Sequence, residues 1–186
     1  MRIVGGRLRR RQLAPPPDRG VRPTSDRLRE TLFNVLAPDV EGARVLDAFA
    51  GTGALGLEAL SRGASHVTMV ERDPRALAVV RENLRRCDAA EQCAVVRGSF
   101  PGVGLPGAPF DIVLLDPPYD TSGLDAIVAA AGELAAPGGR VILEHTRRQA
   151  SPEAAGRLRR VRLLVSGDSA LSFYSPAATE SPASHD

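Results

Sequence analysis

Apolar runs alternate with amphipathic segments through the middle of the chain, from about residue 43 to residue 144. Runs that are apolar almost throughout, and therefore predict strands, span residues 45–49, 66–70, 94–96, 110–115 and 140–144. Segments with helical character separate them at residues 54–62, 74–86 and 124–135. Apolar strands of this kind between helices indicate a parallel sheet that is covered on both faces.

The amino-terminal segment departs from this alternation. It has no helical period and contains several glycines and prolines, although residues 2–4 and 11–13 could pair as a short hairpin. A helix follows, with Thr24 or Ser25 as its N-cap, and it is predicted to end at Pro38. Its apolar stripe consists of Leu28, Leu32, Val35 and Leu36, with Phe33 at the edge.

Capping residues and the carboxy-terminal pattern complete the prediction. Asp73 is suited to cap the helix that begins at Pro74, and residues 137–139, Pro-Gly-Gly, are predicted to stop the last helix. Residues 159–165 and 170–174 predict a closing antiparallel hairpin. We therefore predict an α/β fold with a mostly parallel seven-stranded sheet, divided into a basic arm or hairpin (1–22), a main domain (23–175) and a disordered tail (176–186).

Composition excludes several classes of protein. The 186 residues suffice for one domain with a full core, and no apolar run approaches the ~18 residues of a membrane helix. The basic start has no apolar stretch after it, so a secretory signal is not expected. Cys87 and Cys93 are too few for a disulfide scaffold or a four-cysteine metal site, which favours a reducing cytoplasm. His66, His145 and His185 are isolated and expected on a strand surface or in the tail, so no metal site is predicted.

The charge is distributed unevenly. Residues 1–31 hold nine arginines against three acids, whereas the remainder holds 15 arginines against 19 acids. A basic arm on a mildly acidic body suggests a polyanionic partner, and a solvated run of charge explains it about equally well. A second basic cluster, Arg157, Arg159, Arg160 and Arg162, is explained by exposure on an edge strand without any partner.

A glycine-rich loop follows the first predicted strand. Residues 51–56, Gly-Thr-Gly-Ala-Leu-Gly, satisfy G-x-G-x-x-G between a strand and a helix, where glycine lets the backbone approach a ligand closely. Glu71 ends the next strand, where a carboxylate can accept hydrogen bonds from both hydroxyls of a ribose. Asp47, just ahead of the loop, would crowd a pyrophosphate but could hold an amino group, which argues against NAD. A cofactor that contains a nucleoside is indicated.

The second chemical motif is the tetrapeptide Asp116-Pro117-Pro118-Tyr119 at the end of the fourth strand. The prolines fix the backbone, so that the Asp116 carboxylate and a free main-chain carbonyl stand at a set separation. Two acceptors suit the two N–H donors of an exocyclic amine on a planar base, against which Tyr119 can stack. The acceptors also favour the pyramidal amine and direct its lone pair at an electrophile.

In this order, residues 47–53, Glu71 and residues 116–119 resemble the Rossmann-like class I methyltransferases that use S-adenosylmethionine. Residues 22–34 (RPTSDRLRETLFN) and 56–64 (GLEALSRGA), together with the opening MRIVGG, are typical of the RsmD family. That family methylates the N2 amine of one guanine in bacterial 16S ribosomal RNA. The resemblance extends from residue 1 to about residue 175.

The resemblance implies a role for each matching residue. The methionine part of the cofactor would lie against Asp47, Phe49, Gly51 and Gly53, with Thr52 in the same loop. Glu71 would bind the ribose, with Arg72 beside it. Ser99 and Phe100 would flank the adenine. Asp116 and the Pro117 carbonyl would receive the guanine amine, with Pro118 stiffening the loop and Tyr119 stacking on the base. RNA would contact the arm and the pocket rim through Arg7, Arg9, Arg10, Arg11, Arg22, Thr24, Arg27 and Arg29.

The implied partner is 16S rRNA, within a small ribosomal subunit or an assembly intermediate, bound by a cytoplasmic monomer that makes no contact with a membrane. Three alternatives stay open: methylation of adenine N6 in RNA or DNA, a non-catalytic RNA-binding protein, and an NAD-linked oxidoreductase. DNA specificity usually needs an added recognition domain, for which this chain has no room. Glu144, at the end of the fifth strand, could face the pocket or the solvent.

Overall fold

A computed structural model describes residues 1–17 and 25–177 of the chain. Its helices are α1 (Asp26–Val35), α2 (Ala37–Val40), α3 (Ala54–Ser61), α4 (Pro74–Cys87) and α5 (Leu124–Leu134), with a 3₁₀ turn at Ala90–Gln92. Its strands are β1 (Arg44–Asp47), β2 (His66–Glu71), β3 (Cys93–Arg97), β4 (Phe110–Leu115), β5 (Ala135–Thr146), β6 (Ala154–Ala155), β7 (Leu158–Ser166) and β8 (Ser169–Pro176).

All eight strands belong to one sheet, in the order β3-β2-β1-β4-β5-β8-β7-β6. The first five in that order are parallel, and β8, β7 and β6 add antiparallel pairs at one side. The predicted mostly parallel α/β fold with an antiparallel carboxy-terminal hairpin is confirmed. The predicted count of seven strands is wrong, because the two-residue strand β6 pairs with the start of β7.

Two predicted boundaries are also wrong. The proline-glycine segment 137–139 does not stop α5, which ends at Leu134 and passes directly into β5 at Ala135. At Gly139 a Cβ atom would lie 3.1 Å from the carbonyl oxygen of Asp111, so the glycine permits close contact with β4. Pro38 does not end α1 either. It lies in the first turn of α2, where a backbone N–H would have no acceptor within the helix, so the proline loses no hydrogen bond there.

The local predictions that rest on capping are confirmed. Ser25 caps α1, since its side chain accepts a hydrogen bond from Leu28 N at 3.1 Å. Asp73 caps α4 in the same way through Arg75 N at 2.8 Å, with Pro74 in the first turn. Phe33 is fully buried rather than at the edge of the α1 stripe, and the Arg62 guanidinium lies 5.4 Å from its ring centroid.

The amino-terminal hairpin forms and packs on α3. It contains an antiparallel bridge between Arg2 and Gln12, and Ile3, Leu8 and Leu13 enter the main core. The division into arm, main domain and tail stays a prediction, because residues 18–24 and 178–186 lie outside the described residues.

A buried carboxylate holds this hairpin. Glu58 of α3 is fully buried and accepts hydrogen bonds from Val4 N (2.8 Å), Gly5 N (2.7 Å) and Arg62 Nε (2.9 Å). A charge so far from water is stable only with partners of this kind. Glu58 therefore fixes the position of the hairpin on the domain.

His145 corrects a further prediction, since it is buried and not on a strand surface. Its ring nitrogens lie 2.9 Å from the Thr146 carbonyl oxygen and 2.9 Å from Ser172 Oγ. Burial lowers the pKa of this imidazole. Among the residues that the structure describes, no cluster of three or more His, Cys, Asp or Glu side chains could hold a metal ion. In the same residues, no helix is both long and apolar enough to span a membrane.

Candidate active site

Four carboxylates lie at the carboxyl ends of the parallel strands. Asp47 ends β1, Glu71 ends β2, Asp116 follows β4 and Glu144 lies near the end of β5. Because β1 pairs with both β2 and β4, and β4 pairs with β5, all four reach the same edge of the sheet. This is the edge at which open α/β sheets bind ligands.

Asp47 is the least solvated of the four. It is 1% exposed, and its Oδ2 accepts a hydrogen bond from Gly56 N at 3.0 Å, whereas its Oδ1 has no partner. The pKa of Asp47 is raised to about 7, mainly by burial and in smaller part by the nearby carboxylates of Asp116 and Glu71. A buried carboxylate oxygen without a donor is costly, so this position suits a cationic amino group.

The glycine loop stands directly over this carboxylate. Gly51 and Gly53 have φ angles of 54° and 78°, a left-handed conformation that disfavours other residues, and Gly53 is the N-cap of α3. A Cβ on Gly51 would meet nothing within 4 Å, so the loop borders open space on that side. Thr52 lies buried between the two glycines, and its carbonyl accepts a hydrogen bond from Asn83 Nδ2 at 2.8 Å.

Glu71 is oriented by the backbone around it. Its Oε2 accepts from Gly51 N at 2.9 Å, and its Oε1 accepts from Arg72 N at 2.8 Å and Asp73 N at 2.9 Å. A carboxylate offers about four acceptor positions, so three donors leave room for a ribose hydroxyl. The Arg72 side chain is exposed beside it.

Two aromatic rings adjoin the same region. The rings of Phe49 and Phe100 meet edge to face, with 6.1 Å between centroids and 87° between planes. Phe100 is buried and Phe49 half-buried, while Ser99 is exposed at the turn after β3. The predicted cofactor residues of β1, β2 and β3 therefore come together on one side of the edge.

The tetrapeptide 116–119 turns immediately after β4. Thr121 N donates to the Pro118 carbonyl at 2.9 Å, so the hydrogen bond of this turn does not involve the Pro117 carbonyl. Asp116 is half-buried, Pro117 is buried and Pro118 is exposed. The turn therefore presents the Asp116 carboxylate toward Asp47, whose pKa it raises.

Tyr119 is 42% exposed and held by its hydroxyl, which donates to Glu144 Oε1 at 3.3 Å and lies 3.0 Å from Ser169 Oγ. Partial burial raises the pKa of Tyr119, as do Glu144 and Asp116 nearby, so the phenol stays neutral. One face of the ring can thus remain open to a base while the hydroxyl is fixed.

Three residues here were missed by the sequence reasoning or left undecided. Glu144 is 3% exposed and faces the site; Ser169 begins β8 and reaches Tyr119; Asn83 of α4 supports the glycine loop. Glu144 had the only signal in the sequence, a carboxylate at the end of an apolar strand.

The residues predicted to contact RNA fall into three groups. Arg7, Arg9, Arg10 and Arg11 are exposed on the amino-terminal hairpin, and Arg27 is exposed on α1. Arg7 and Arg11 are tied to the domain through Gln92 Oε1 (2.5 Å) and the Arg86 carbonyl (3.1 Å). Arg22 and Thr24 lie outside the described residues. Arg29 is buried and binds Asp26 and the Arg2 carbonyl, so it cannot contact RNA.

The residues fit S-adenosylmethionine. The partnerless Asp47 Oδ1 suits its amino group, the open side of Gly51 admits its chain, and Glu71 and the two phenylalanines suit its ribose and adenine. The Asp116 carboxylate lies beside this group of residues, close enough to Asp47 to raise its pKa.

Comparison with known proteins agrees with this geometry. The family model Conserved hypothetical protein 95 matches residues 1–175. Ribosomal RNA small subunit methyltransferase D of Escherichia coli K12 is 45% identical over 119 residues, which cover 64% of this chain and 60% of that protein. The match therefore spans less than two thirds of that relative's length.

Two solved structures are also similar. The Escherichia coli protein yhhF superimposes with a TM-score of 0.80 and 36% identity, covering 96% of this chain and 99% of that one. The Thermus thermophilus 16S rRNA N2 G1207 methyltransferase RsmC, in complex with AdoMet and guanosine, gives a TM-score of 0.71 at 26% identity. That match covers 95% of this chain and 49% of that one.

Proposed function

The chain belongs to the Conserved hypothetical protein 95 family, and on that basis we propose that it transfers a methyl group from S-adenosylmethionine to the N2 amine of a guanine in 16S ribosomal RNA. The family predicted from the amino-terminal motifs is confirmed. One observation carries the proposal. Asp47, a buried carboxylate with one oxygen that lacks a hydrogen-bond donor, ends β1, and the Asp-Pro-Pro-Tyr turn follows the neighbouring strand β4.

The cofactor supplies a sulfonium methyl group that is already activated for transfer. Asp47 would hold its amino group, and Glu71 would hold its ribose beside the glycine loop. Residues that hold the cofactor and the amine at one edge of the sheet would replace a chance encounter by a fixed geometry. Thr52, Arg72, Ser99 and Phe100 would have the roles in cofactor binding that the resemblance implies.

The Asp116 carboxylate and the Pro117 carbonyl accept the two hydrogens of the guanine amine. This directs the nitrogen lone pair toward the methyl carbon, and Tyr119 keeps the base in plane by stacking. As the N–C bond forms, the sulfur–methyl bond would break and leave S-adenosylhomocysteine, and the amine proton, which becomes acidic only then, would pass to Asp116 or to water. Asp116 therefore need not be a strong base before the reaction.

The exposed arginines of the amino-terminal hairpin would bind RNA phosphates and position the substrate. The proposed substrate is a small ribosomal subunit or an assembly intermediate, and the protein would act as a monomer in the cytoplasm. Arg9 is exposed and can reach RNA, whereas Arg29 is buried and has a structural role.

Transfer of labelled methyl from S-adenosylmethionine tests the proposal directly. The acceptors are small ribosomal subunits, naked rRNA and DNA, followed by mass spectrometry of the nucleosides. We expect N2-methylguanosine on ribosomal material. Label on adenine would contradict the choice of base, and no label on any acceptor, despite cofactor binding, would contradict the enzymatic function.

A further inference from the structure

The carboxyl ends of the parallel strands form the active edge of the sheet, where Asp47, Glu71, Asp116 and Glu144 lie. Of these four carboxylates, Glu144 alone has no role in the proposed reaction. It lies on β5, the neighbour of the strand that carries Asp116. The register pairs Leu115 with Leu143, so the next positions along the two strands are Asp116 and Glu144. Neighbouring strands lie about 4.8 Å apart. Both carboxylates also lie close enough to Tyr119 to raise its pKa, so Asp116 and Glu144 are near the same aromatic ring.

Tyr119 connects them. Its hydroxyl donates to Glu144 Oε1 at 3.3 Å, and its backbone follows Asp116 by three residues. A base that stacks on the Tyr119 ring with its amine at Asp116 can place its Watson–Crick edge toward β5. A carboxylate accepts about four hydrogen bonds, so the contact with the Tyr119 hydroxyl does not by itself exclude one to the base.

The chemistry of the atom next to the amine on that edge separates the purines. In guanine the neighbour of the N2 amine on the Watson–Crick edge is N1–H, a donor. In adenine the neighbour of the N6 amine is N1 without hydrogen, an acceptor that a carboxylate repels. A single carboxylate beyond the amine-binding turn therefore distinguishes the two bases, because the wrong base leaves two acceptors facing each other.

We propose that Glu144 accepts the N1–H of the target guanine and so selects guanine over adenine, an inference that rests on the proposed function. Its 3% exposure strengthens the effect, since a hydrogen bond to a charged group away from water discriminates more than an exposed one. Ser169 Oγ lies 3.0 Å from the Tyr119 hydroxyl and gives the phenol a second hydrogen-bonding partner beside Glu144.

Three nucleosides isolate this contact in a binding experiment. Guanosine has both the amine and N1–H, inosine has N1–H without the amine, and 2-aminopurine riboside has the amine without N1–H. Binding of 2-aminopurine riboside is followed by its own fluorescence, with the protein saturated with S-adenosylhomocysteine, and the other two nucleosides are measured by displacement. This readout does not depend on turnover.

For Glu144→Gln we expect guanosine and inosine to bind roughly tenfold more weakly, since a charged acceptor is replaced by a neutral one. The 2-aminopurine riboside should bind as well as before or better, because the amide can donate to its N1. Glu133→Gln, on the exposed face of α5, is the matched control and should leave all three affinities unchanged.

Tyr119→Phe separates a direct contact from an indirect one. It removes the hydroxyl that binds Glu144 but keeps the carboxylate, so guanosine should retain its advantage over 2-aminopurine riboside. If Glu144→Gln weakens all three nucleosides equally, or if Tyr119→Phe reproduces its selective pattern, Glu144 acts only through Tyr119 and the inference is wrong.

Failure of this inference and failure of the proposed function give different results. A wild-type protein that labels guanine in ribosomal material, with no selective effect of Glu144→Gln, loses only the inference. A wild-type protein that labels no guanine loses the proposed function and the inference with it. If guanosine at millimolar concentration does not displace 2-aminopurine riboside, the protein has no pocket of the proposed kind for the base, and the inference is wrong. The methyl-transfer assay then decides separately whether the proposed function holds.

Discussion

The active edge has two halves that are built differently: a proposed cofactor half around Asp47 and Glu71, and a proposed base half around Asp116 and Tyr119. At the cofactor half, the side chains of Asp47 and Glu71 accept four hydrogen bonds from backbone N–H groups, and Asn83 supports the loop from behind. At the base half, Tyr119 is 42% exposed and held by side chains from two other strands. The first half is fixed before any ligand arrives, whereas the second depends on contacts that a bound base can complete.

The sharpest separation of the halves is expected from Asp116→Ala. Turnover should fall by roughly 10²–10⁴-fold, because the amine loses the acceptor that directs its lone pair. The affinity for S-adenosylmethionine should stay within a few-fold, because Asp47 and Glu71 keep their backbone contacts. Single-turnover methyl transfer and calorimetry measure the two effects, with Asp125→Ala on α5 as the control. Equal loss of both would mean that Asp116 shapes the cofactor half.

Glu58→Ala tests how strongly the amino-terminal hairpin is attached to the domain that carries both halves. We expect the free energy of unfolding to fall by about 2–4 kcal/mol, since Val4 N, Gly5 N and Arg62 lose a buried charged acceptor. Glu82→Ala, whose partners Arg85 and Arg86 are at the surface, should lower the free energy of unfolding far less. Urea denaturation of both variants makes the comparison. Equal losses would show that the hairpin is only loosely attached.

Asp47→Asn should affect binding on the cofactor half and remove a pH dependence. Because the pKa of Asp47 is about 7, the wild type must release a proton to pair with a cationic amino group, so affinity should rise from pH 5.5 to 7. The variant should bind roughly 10–100-fold more weakly at pH 8, with a flat profile over that range. Asp39→Asn, in an exposed ion pair with Arg140, is the control. A wild-type profile without slope would contradict the role of Asp47.

The same group predicts the stability of the ligand-free protein. A pKa raised from 3.8 to about 7 means that folding binds a proton, so this stabilisation is complete below pH 4 and is lost as the pH rises through 7. Relative to Asp47→Asn, the wild type should therefore lose up to roughly 4 kcal/mol between pH 4 and pH 8. Denaturant titrations of both proteins at several pH values measure the difference. A constant difference would contradict the raised pKa.

The smallest expected effect lies outside both halves. Replacing Arg9, Arg10 and Arg11 by Gln should weaken RNA binding and reduce the dependence of log K on log salt by roughly 2. Arg159 and Arg162 on β7 are the matched control, and their replacement should leave the slope as it is. An unchanged slope in the hairpin variant would contradict its role in binding RNA.

The sequence predicted the cofactor half better than the base half, for a physical reason. The glycine loop, Asp47 and Glu71 follow from short-range patterns, since a strand, a tight turn and a helix specify one another locally. The contacts of Tyr119 come from Glu144 and Ser169, which are 25 and 50 residues away in sequence. Such contacts depend on the strand order, and the position of β8 beside β5 is not encoded near Tyr119.

The same limit explains the other errors. Glu58 occurs in a helix whose residues are all buried, and nothing local indicates that its carboxylate would find the backbone of Val4 and Gly5. His145 was expected at a surface because neither neighbour in sequence shows its burial by Ser172. Capping by Ser25 and Asp73 was predicted correctly because a cap acts on residues two or three positions away.

Asn83 gives the hairpin and the glycine loop a common support. Its amide oxygen accepts from Ala14 N at 2.7 Å, and its amide nitrogen donates to the Thr52 carbonyl at 2.8 Å. A shift of the hairpin would therefore strain a contact of the glycine loop, and a shift of the loop would strain a contact of the hairpin. If RNA binds the hairpin and the cofactor binds the loop, as proposed, thermodynamic reciprocity requires each ligand to change the affinity for the other by the same factor. The affinity for either ligand, measured with and without the other, would then report the coupling that this one amide carries.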